Sequence, residues 1–288
     1  MLSDTISNWG RWGSDDQRGT LNLLTPEVVK KAACLIKRGK VYSLAVPLEK
    51  EGPNRPSRNK TWHVTTVRED KTGIRAGAAD DILVMHTHGT THIDALCHFW
   101  YQGQLYNGYP SDLITREGSP KNAIDNVRWL VGRGVLLDLA TWKGMEHLPM
   151  AYVITPADLE GCAAWEGVSI QVGDIVLIRT GWYRLFSRDR QYHDSGEPGV
   201  GEGTIPWFCQ KQVCALGVDN GAVEVEPTEA GGPLVVHARL IRDVGMYLME
   251  YLDLEELARD RTYEFLFVAA PLRITGGIGS PLNPLAIA

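Results

Sequence analysis

Among the 288 residues only five are cysteine, Cys34, Cys97, Cys162, Cys209 and Cys214, and no two of them form a C-x-x-C pair. An odd, scattered set fits neither a disulfide framework nor a structural zinc knuckle, so these residues read as buried free thiols. Nowhere do 18 apolar residues run together, and Met1 to Gly13 holds no basic segment followed by an apolar one. A membrane span and a secretory leader are therefore not expected, and a cytoplasmic protein is. The formal net charge of -6, with no Lys/Arg cluster interleaved with aromatics, sets aside nucleic acid and anionic membrane as partners. No Gly-x-Ser-x-Gly elbow is present, which removes the commonest serine-hydrolase arrangement. Gly199-Val-Gly-Glu-Gly203 lacks the third glycine of a dinucleotide loop and reads as part of a loop over residues 192–203.

The composition that is present, 44% hydrophobic and 22% charged, supports a sizeable core. No repeat, low-complexity tract or compositional break divides the chain, so one domain over residues 1–288 is expected, with residues 1–24 as an N-terminal arm. Trp9 and Trp12 in that arm suggest docking on something, such as a second subunit. A homodimer or higher homo-oligomer is the expected assembly, and a small molecule the expected substrate.

Thr25-Pro26-Glu27 opens a helix predicted to run to about Arg38, and Thr155-Pro-Ala-Asp158 is a capping box ahead of a helix over Leu159 to Trp165. Apolar runs of strand length lie at Ile82 to Met85, Val135 to Leu139, Ile175 to Ile178, Leu216 to Val218, Leu234 to Val236 and Phe265 to Ala269. Their brevity and Gly or Asp flanks suit strands buried on both faces. The fold class is α/β with a mixed sheet, because the helices are too few and too unevenly spaced for a strict doubly wound sheet.

Four of the eight histidines fall within thirteen residues, in His86-Thr-His88-Gly-Thr-Thr-His92-Ile-Asp94-Ala-Leu-Cys97-His98. Any one alone reads as a surface or hydrogen-bonded core side chain; the group does not. As a strand, positions 86, 88, 92, 94 and 98 would share one face; as a helix, 88 and 92 would lie one turn apart. Gly89 and its threonines argue against helix, so the reading is a strand from Ile82, a tight polar bend, and then a helical segment. Two imidazoles and a carboxylate, His88, His92 and Asp94, suit zinc, manganese or iron(II) and leave coordination positions open, which implies catalysis. Cys97 beside His98 could suggest a thiol nucleophile, but adjacent residues seldom face each other.

This string resembles the signature of the cyclase-type metal hydrolases, the family that includes bacterial kynurenine formamidase and isatin hydrolase, whose pattern is His-x-Gly-Thr-His-x-Asp-x-x-x-His. His88, Thr91, His92, Asp94 and His98 fall in register, while Thr90 stands where the pattern has glycine. Supporting marks are Gly19-Thr-Leu-Asn-Leu-Leu-Thr-Pro26, Arg133-Gly-Val-Leu-Leu-Asp-Leu139, Gly173-Asp-Ile-Val-Leu-Ile-Arg-Thr-Gly-Trp182, Gly217-Val-Asp219 and the Gly-Ser-Pro-rich C-terminus. The resemblance implies the swivelling β/β/α fold of that family and places His98 as acid/base. It also implies a second metal position at His237 and Glu250, a spacing like that of the formamidase branch. From the residues themselves, His237 ends the run Leu234-Val-Val236, and Glu250 lies in the apolar stretch Tyr247 to Leu252, where a lone carboxylate is costly to bury.

The expected function is a metal-dependent hydrolase, with one or two zinc or manganese ions, that opens an amide, cyclic amide, imide or lactone carbonyl by metal-bound hydroxide. Arylformamidase-type hydrolysis of an open-chain N-formyl amine is the alternative. A metal-bearing binding protein without turnover is a reading of another class, against which His98 argues, since a passive carrier has no use for an acid/base. Trp62, Phe99, Trp100, Tyr101, Tyr106, Trp182 and Trp207 lie near the marked segments and would form an aromatic wall for a planar ring, or else belong to the core or an interface.

Overall fold

The computed structural model of the protein describes residues 6–190 and 196–288. Four apolar runs form the middle of one large sheet: β5 (Leu130–Asp138), β7 (Ile175–Arg179), β9 (Ala215–Val218) and β10 (Tyr247–Glu250) lie side by side and parallel. Every residue of β7, β9 and β10 is buried, as their continuous apolar character requires when both sheet faces are covered. The outer strands run antiparallel. β11 (Glu264–Ala269), β13 (Leu285–Ile287) and β1 (Val41–Ser43) extend the sheet beyond β5, while β4 (His92–Asp94) and β12 (Gly279–Pro281) extend it beyond β10. The result is a single mixed α/β domain with nine strands in the order β1-β13-β11-β5-β7-β9-β10-β4-β12.

Two small ribbons stand apart: β2 (Trp62–Glu69) with β3 (Gly77–Val84), and β6 (Val153–Ile154) with β8 (Gly199–Val200). The Ile82 run is a strand that ends just before the histidines, as expected, but it is not buried. It belongs to β3, whose residues are all exposed. The loop expected over 192–203 lies partly outside the described residues, and its described end holds β8 and a short 3-10 turn at Glu202–Thr204.

Helix α1 (Pro26–Ala33) starts as expected, with Thr25 accepting from Val28 N, but stops short of Arg38. α2 (Leu139–Trp142) follows β5 directly. α3 (Pro156–Glu166) carries the full Thr155/Asp158 capping box and ends on a left-handed Gly167. α4 (Trp182–Asp189), α5 (Ile205–Lys211), α6 (Val235–Ala238) and α7 (Glu255–Arg259) complete the set. Among the described residues no helix is long and apolar enough to cross a membrane.

From residue 6 onwards the N-terminal arm folds back on its own chain. Trp9 donates its indole N–H to the Arg242 carbonyl at 2.7 Å and lies 4.5 Å from the Arg242 guanidinium. Arg242 belongs to a single π-helical stretch, Arg239–Val244, that continues α6 and so abuts the site.

Candidate metal centre

The register around β4 assembles the site. Glu250 at the end of β10 pairs with His92, and Asp94 pairs with Gly279 on β12. The chain enters β4 through the expected bend and leaves it through a turn closed by His98 N to Ala95 O, so the helix expected after the bend does not form. At the bend Thr90 takes a φ of 58°, a left-handed conformation that explains why the family pattern has glycine there. Gly279 is needed for a different reason: a Cβ on it would lie 2.6 Å from His88 Nε2.

Six expected residues meet here. His88 Nε2 and His92 Nε2 lie 3.3 and 3.5 Å from Asp94 Oδ1, and His98 Nε2 lies 3.9 Å from the same oxygen. His92 Nε2 is 3.3 Å from Glu250 Oε2, while His237 Nε2 is 3.0 Å from Glu250 Oε1 and 3.9 Å from Asp94 Oδ2. His86 is exposed and stays outside. Two donor groups share Asp94: His88, Asp94 and His98 on one side, and His92, Asp94 and Glu250 on the other.

Buried polar atoms here lack partners. His88 Nε2, His92 Nε2 and both Asp94 oxygens make no hydrogen bond, although Asp94 is 1% exposed. A buried carboxylate without donors is costly unless a cation compensates it. Donor atoms 3.0–3.9 Å apart also suit a shared ion, because ligand bonds of roughly 2.0–2.2 Å leave neighbouring ligand atoms about 3.3 Å apart. The residues therefore fit a divalent metal.

Titration follows the same field. Burial pushes the His88 imidazole down to about 3, and its neighbour His98 adds to the effect. Burial also opposes charge on His92 and His237, but Glu250 and Asp94 outweigh it at His92, raising it to about 9, and Glu224 with Glu250 raises His237 to about 10. Burial alone would raise the carboxyls of Asp94 and Glu250. The imidazoles around them prevail: Asp94 is held far below the usual range, and Glu250 at about 2. His98 is pushed down by burial. Cys97 is pushed up to about 12 by burial and points its thiol at the Gly277 carbonyl, which removes it as a nucleophile.

His237 sits on α6, not at a strand end. The Glu224 carboxylate holds that helix start, accepting Val236 N at 3.2 Å, His237 N at 2.8 Å and His237 Nδ1 at 2.9 Å. The imidazole is thereby fixed with Nε2 towards Asp94 and Glu250. Thr90 O does the same for His92 Nδ1 at 2.8 Å. Sequence reasoning missed Glu224, yet the sign that marks Glu250, a lone acid in an apolar run, is present at Ala222-Val-Glu224-Val225 as well.

Of the expected aromatic wall, Phe99 is at the site, with ring centroids 5.0 Å from His98 and 5.1 Å from His237. Trp100 is exposed beside it. Tyr101 bonds Asp243, Tyr106 and Trp207 are buried and bonded to Asp16 and Glu160, Trp182 is buried against Tyr251 behind His92, and Trp62 is on the exposed ribbon.

Residues 27–225 match the sequence profile of the putative cyclase family, and the chain belongs to that family. A solved structure described as a novel cyclase superposes with a TM-score of 0.90 over 99% of this chain and 100% of its own, at 38% identity. Isatin hydrolase of Roseibium aggregatum is 27% identical over 217 residues, covering 71% of this chain and 73% of that protein. Isatin hydrolase A of Labrenzia aggregata, solved with benzyl benzoate, shares the fold at a TM-score of 0.59 and 21% identity, covering 86% of this chain and 93% of its own.

Proposed function

We propose that the protein is a metal-dependent hydrolase that opens an amide, imide or lactone carbonyl, with a cyclic substrate preferred to its open-chain counterpart. The observation that carries this reading is Asp94, buried, without a hydrogen-bond donor, and shared by two groups of imidazole and carboxylate atoms. His88, His92 and Asp94 would hold a zinc or manganese ion, and His237 and Glu250 a second. When bound, such an ion polarises a carbonyl oxygen and lowers the pKa of water to about 7.

The protein's own groups supply the rest. Asp94 and Glu250 provide the negative charge that retains a cation in a dry setting. The Thr90 carbonyl and Glu224 hold His92 and His237 in the tautomer whose Nε2 faces the carboxylates. His98, whose side chain is 20% exposed, is on the open side of the group. Its Nε2 takes a proton from the attacking water and returns it to the leaving nitrogen or oxygen. Phe99 gives a flat substrate a surface against the same imidazole. The relative named isatin hydrolase supports a cyclic amide as the substrate class.

The test is a paired assay at equal concentration, with isatin-like, imide and lactone rings against N-formyl aryl amines. Higher kcat/KM on a ring is expected. A clear advantage for the formamides would overturn the cyclic preference, and no turnover of any of them with Zn²⁺ or Mn²⁺ supplied would overturn the hydrolase reading.

A further inference from the structure

The core arginines of this chain are neutralised by acids. Arg133 pairs with Asp174 and Glu264, Arg179 with Asp138 and Glu255, and both Arg239 and Arg242 with Asp243. Arg18, Arg128 and Arg273 depart from this pattern. Their side chains take part in no hydrogen bond, ion pair or ring contact among the described residues, yet all three line one hollow of about 470 Å³, together with Trp129, Asp125 and Asn126. Asp16, two residues from Arg18, is already taken by Gly19 N, Asn22 Nδ2 and the Tyr106 hydroxyl. Asp125, the one acid in the described lining, is ion-paired with none of the three.

Three cations facing one hollow repel one another, and on a chain of net charge -6 they make it a local positive focus. They come from separate parts of the chain: the N-terminal arm, the turn before β5, and the segment between β11 and β12. The tertiary fold therefore gathers them. Trp129 adds an indole that is 41% exposed and without a ring or cation partner. The volume is that of a small-ligand site, which ranges over roughly 300–1,000 Å³. Arg128 and Trp129 precede Leu130 at the start of β5, whereas Glu250 lies at the end of β10, which runs in the same direction. The hollow thus opens at the opposite edge of the parallel strands from the metal centre, and is no extension of it.

We propose that this hollow is a second binding site, one that takes a nucleoside diphosphate. Guanidinium forks match phosphate oxygens two at a time, and three of them suit the charge of a diphosphate better than that of a single carboxylate. The exposed indole of Trp129 stacks a flat base. Asp125, left without an arginine partner, accepts the ribose hydroxyls. The site is independent of the hydrolase reading.

Calorimetric titration with ADP, without added divalent metal, tests this, with adenosine and inorganic phosphate as partial probes. Wild type should bind one ADP per chain with a Kd on the order of 10–100 µM, and each partial probe about tenfold more weakly or worse. Arg128→Gln and Arg273→Gln should each weaken ADP about tenfold or more, since each loses a charge-assisted bond to phosphate. Trp129→Ala should weaken ADP and leave inorganic phosphate unchanged. Arg75→Gln, at an unpaired arginine in the β2–β3 turn, should change nothing. Asp94→Asn should also bind ADP as wild type does, which separates this hollow from phosphate ligation at the metal centre. No saturable ADP binding below about 1 mM, binding that survives both hollow-arginine substitutions, or binding lost with Asp94→Asn would overturn the site. Inorganic phosphate bound as tightly as ADP would overturn its assignment to a nucleotide.

Discussion

Replacing Thr90 by glycine should stabilise the protein. Thr90 holds a φ of 58° at the bend between His88 and His92, where a β-branched residue is strained by about 1–2 kcal/mol. Its hydroxyl is buried without a hydrogen-bond partner and offsets nothing. Against the relief stand glycine's greater freedom in the unfolded chain, about 0.5–1 kcal/mol, and the lost burial of a methyl group, about 0.8 kcal/mol. Adding the relieved hydroxyl, about 1 kcal/mol or more, leaves Thr90→Gly ahead by about 1 kcal/mol. For a chain of this size that is a rise in Tm of about 2 °C. Metal binding should be kept, because His92 Nδ1 donates to the Thr90 carbonyl and not to its side chain. The assay is thermal unfolding at fixed metal concentration with Thr90→Ala as control, which retains a Cβ in the left-handed region and should show no comparable gain. Equal melting of the two variants, at or below wild type, would refute the reasoning.

Further outcomes follow from other groups. Glu224→Gln should weaken metal binding ten- to a hundredfold, read by calorimetric titration, because an amide cannot accept all three N–H groups that now meet the carboxylate; unchanged affinity would remove Glu224 from that role. His98→Ala should retain metal while turnover falls on the order of a hundredfold or more, whereas a metal-free variant would make His98 a ligand. Glu166, raised by burial to about 8, has an oxygen without a partner. Since its folded pKa exceeds the unfolded value, its contribution to stability is complete below about pH 4.5 and is lost as pH rises through 8. Glu166→Gln should therefore raise Tm relative to wild type at pH 9 more than at pH 5, and an equal difference at both would count against a protonated Glu166.

What the sequence disclosed depended on local chemistry. The histidine string was legible because four imidazoles and an acid within thirteen residues have few other uses, and Thr155 to Asp158 was legible because a capping box is self-contained. Leu234-Val-Val236 misled because β-branched residues favour strands, and a carboxylate from Glu224, twelve residues earlier, overrides that preference by accepting the N–H groups at the start of α6. The Ile82 run was legible as a strand, but its exposure was not, because hydrophobicity reports the need for cover and not what supplies it. The three-residue strands β1, β12 and β13 are too short to show periodicity, and β12 itself holds Gly279 and Pro281 while β13 follows Pro284. Trp182 and Tyr106 lie near the motifs in sequence, but their rings fill the core, a distinction that only tertiary packing makes.

The central claim, that Asp94 anchors a catalytic divalent ion, is tested most directly by elemental analysis of protein purified without chelator, wild type beside Asp94→Asn. The account predicts one to two zinc or manganese ions per chain in wild type, and almost none in a folded Asp94→Asn that no longer opens a cyclic amide or lactone. Wild type holding less than about a tenth of an ion per chain, with no rise in Tm when Zn²⁺ or Mn²⁺ is added, would contradict it.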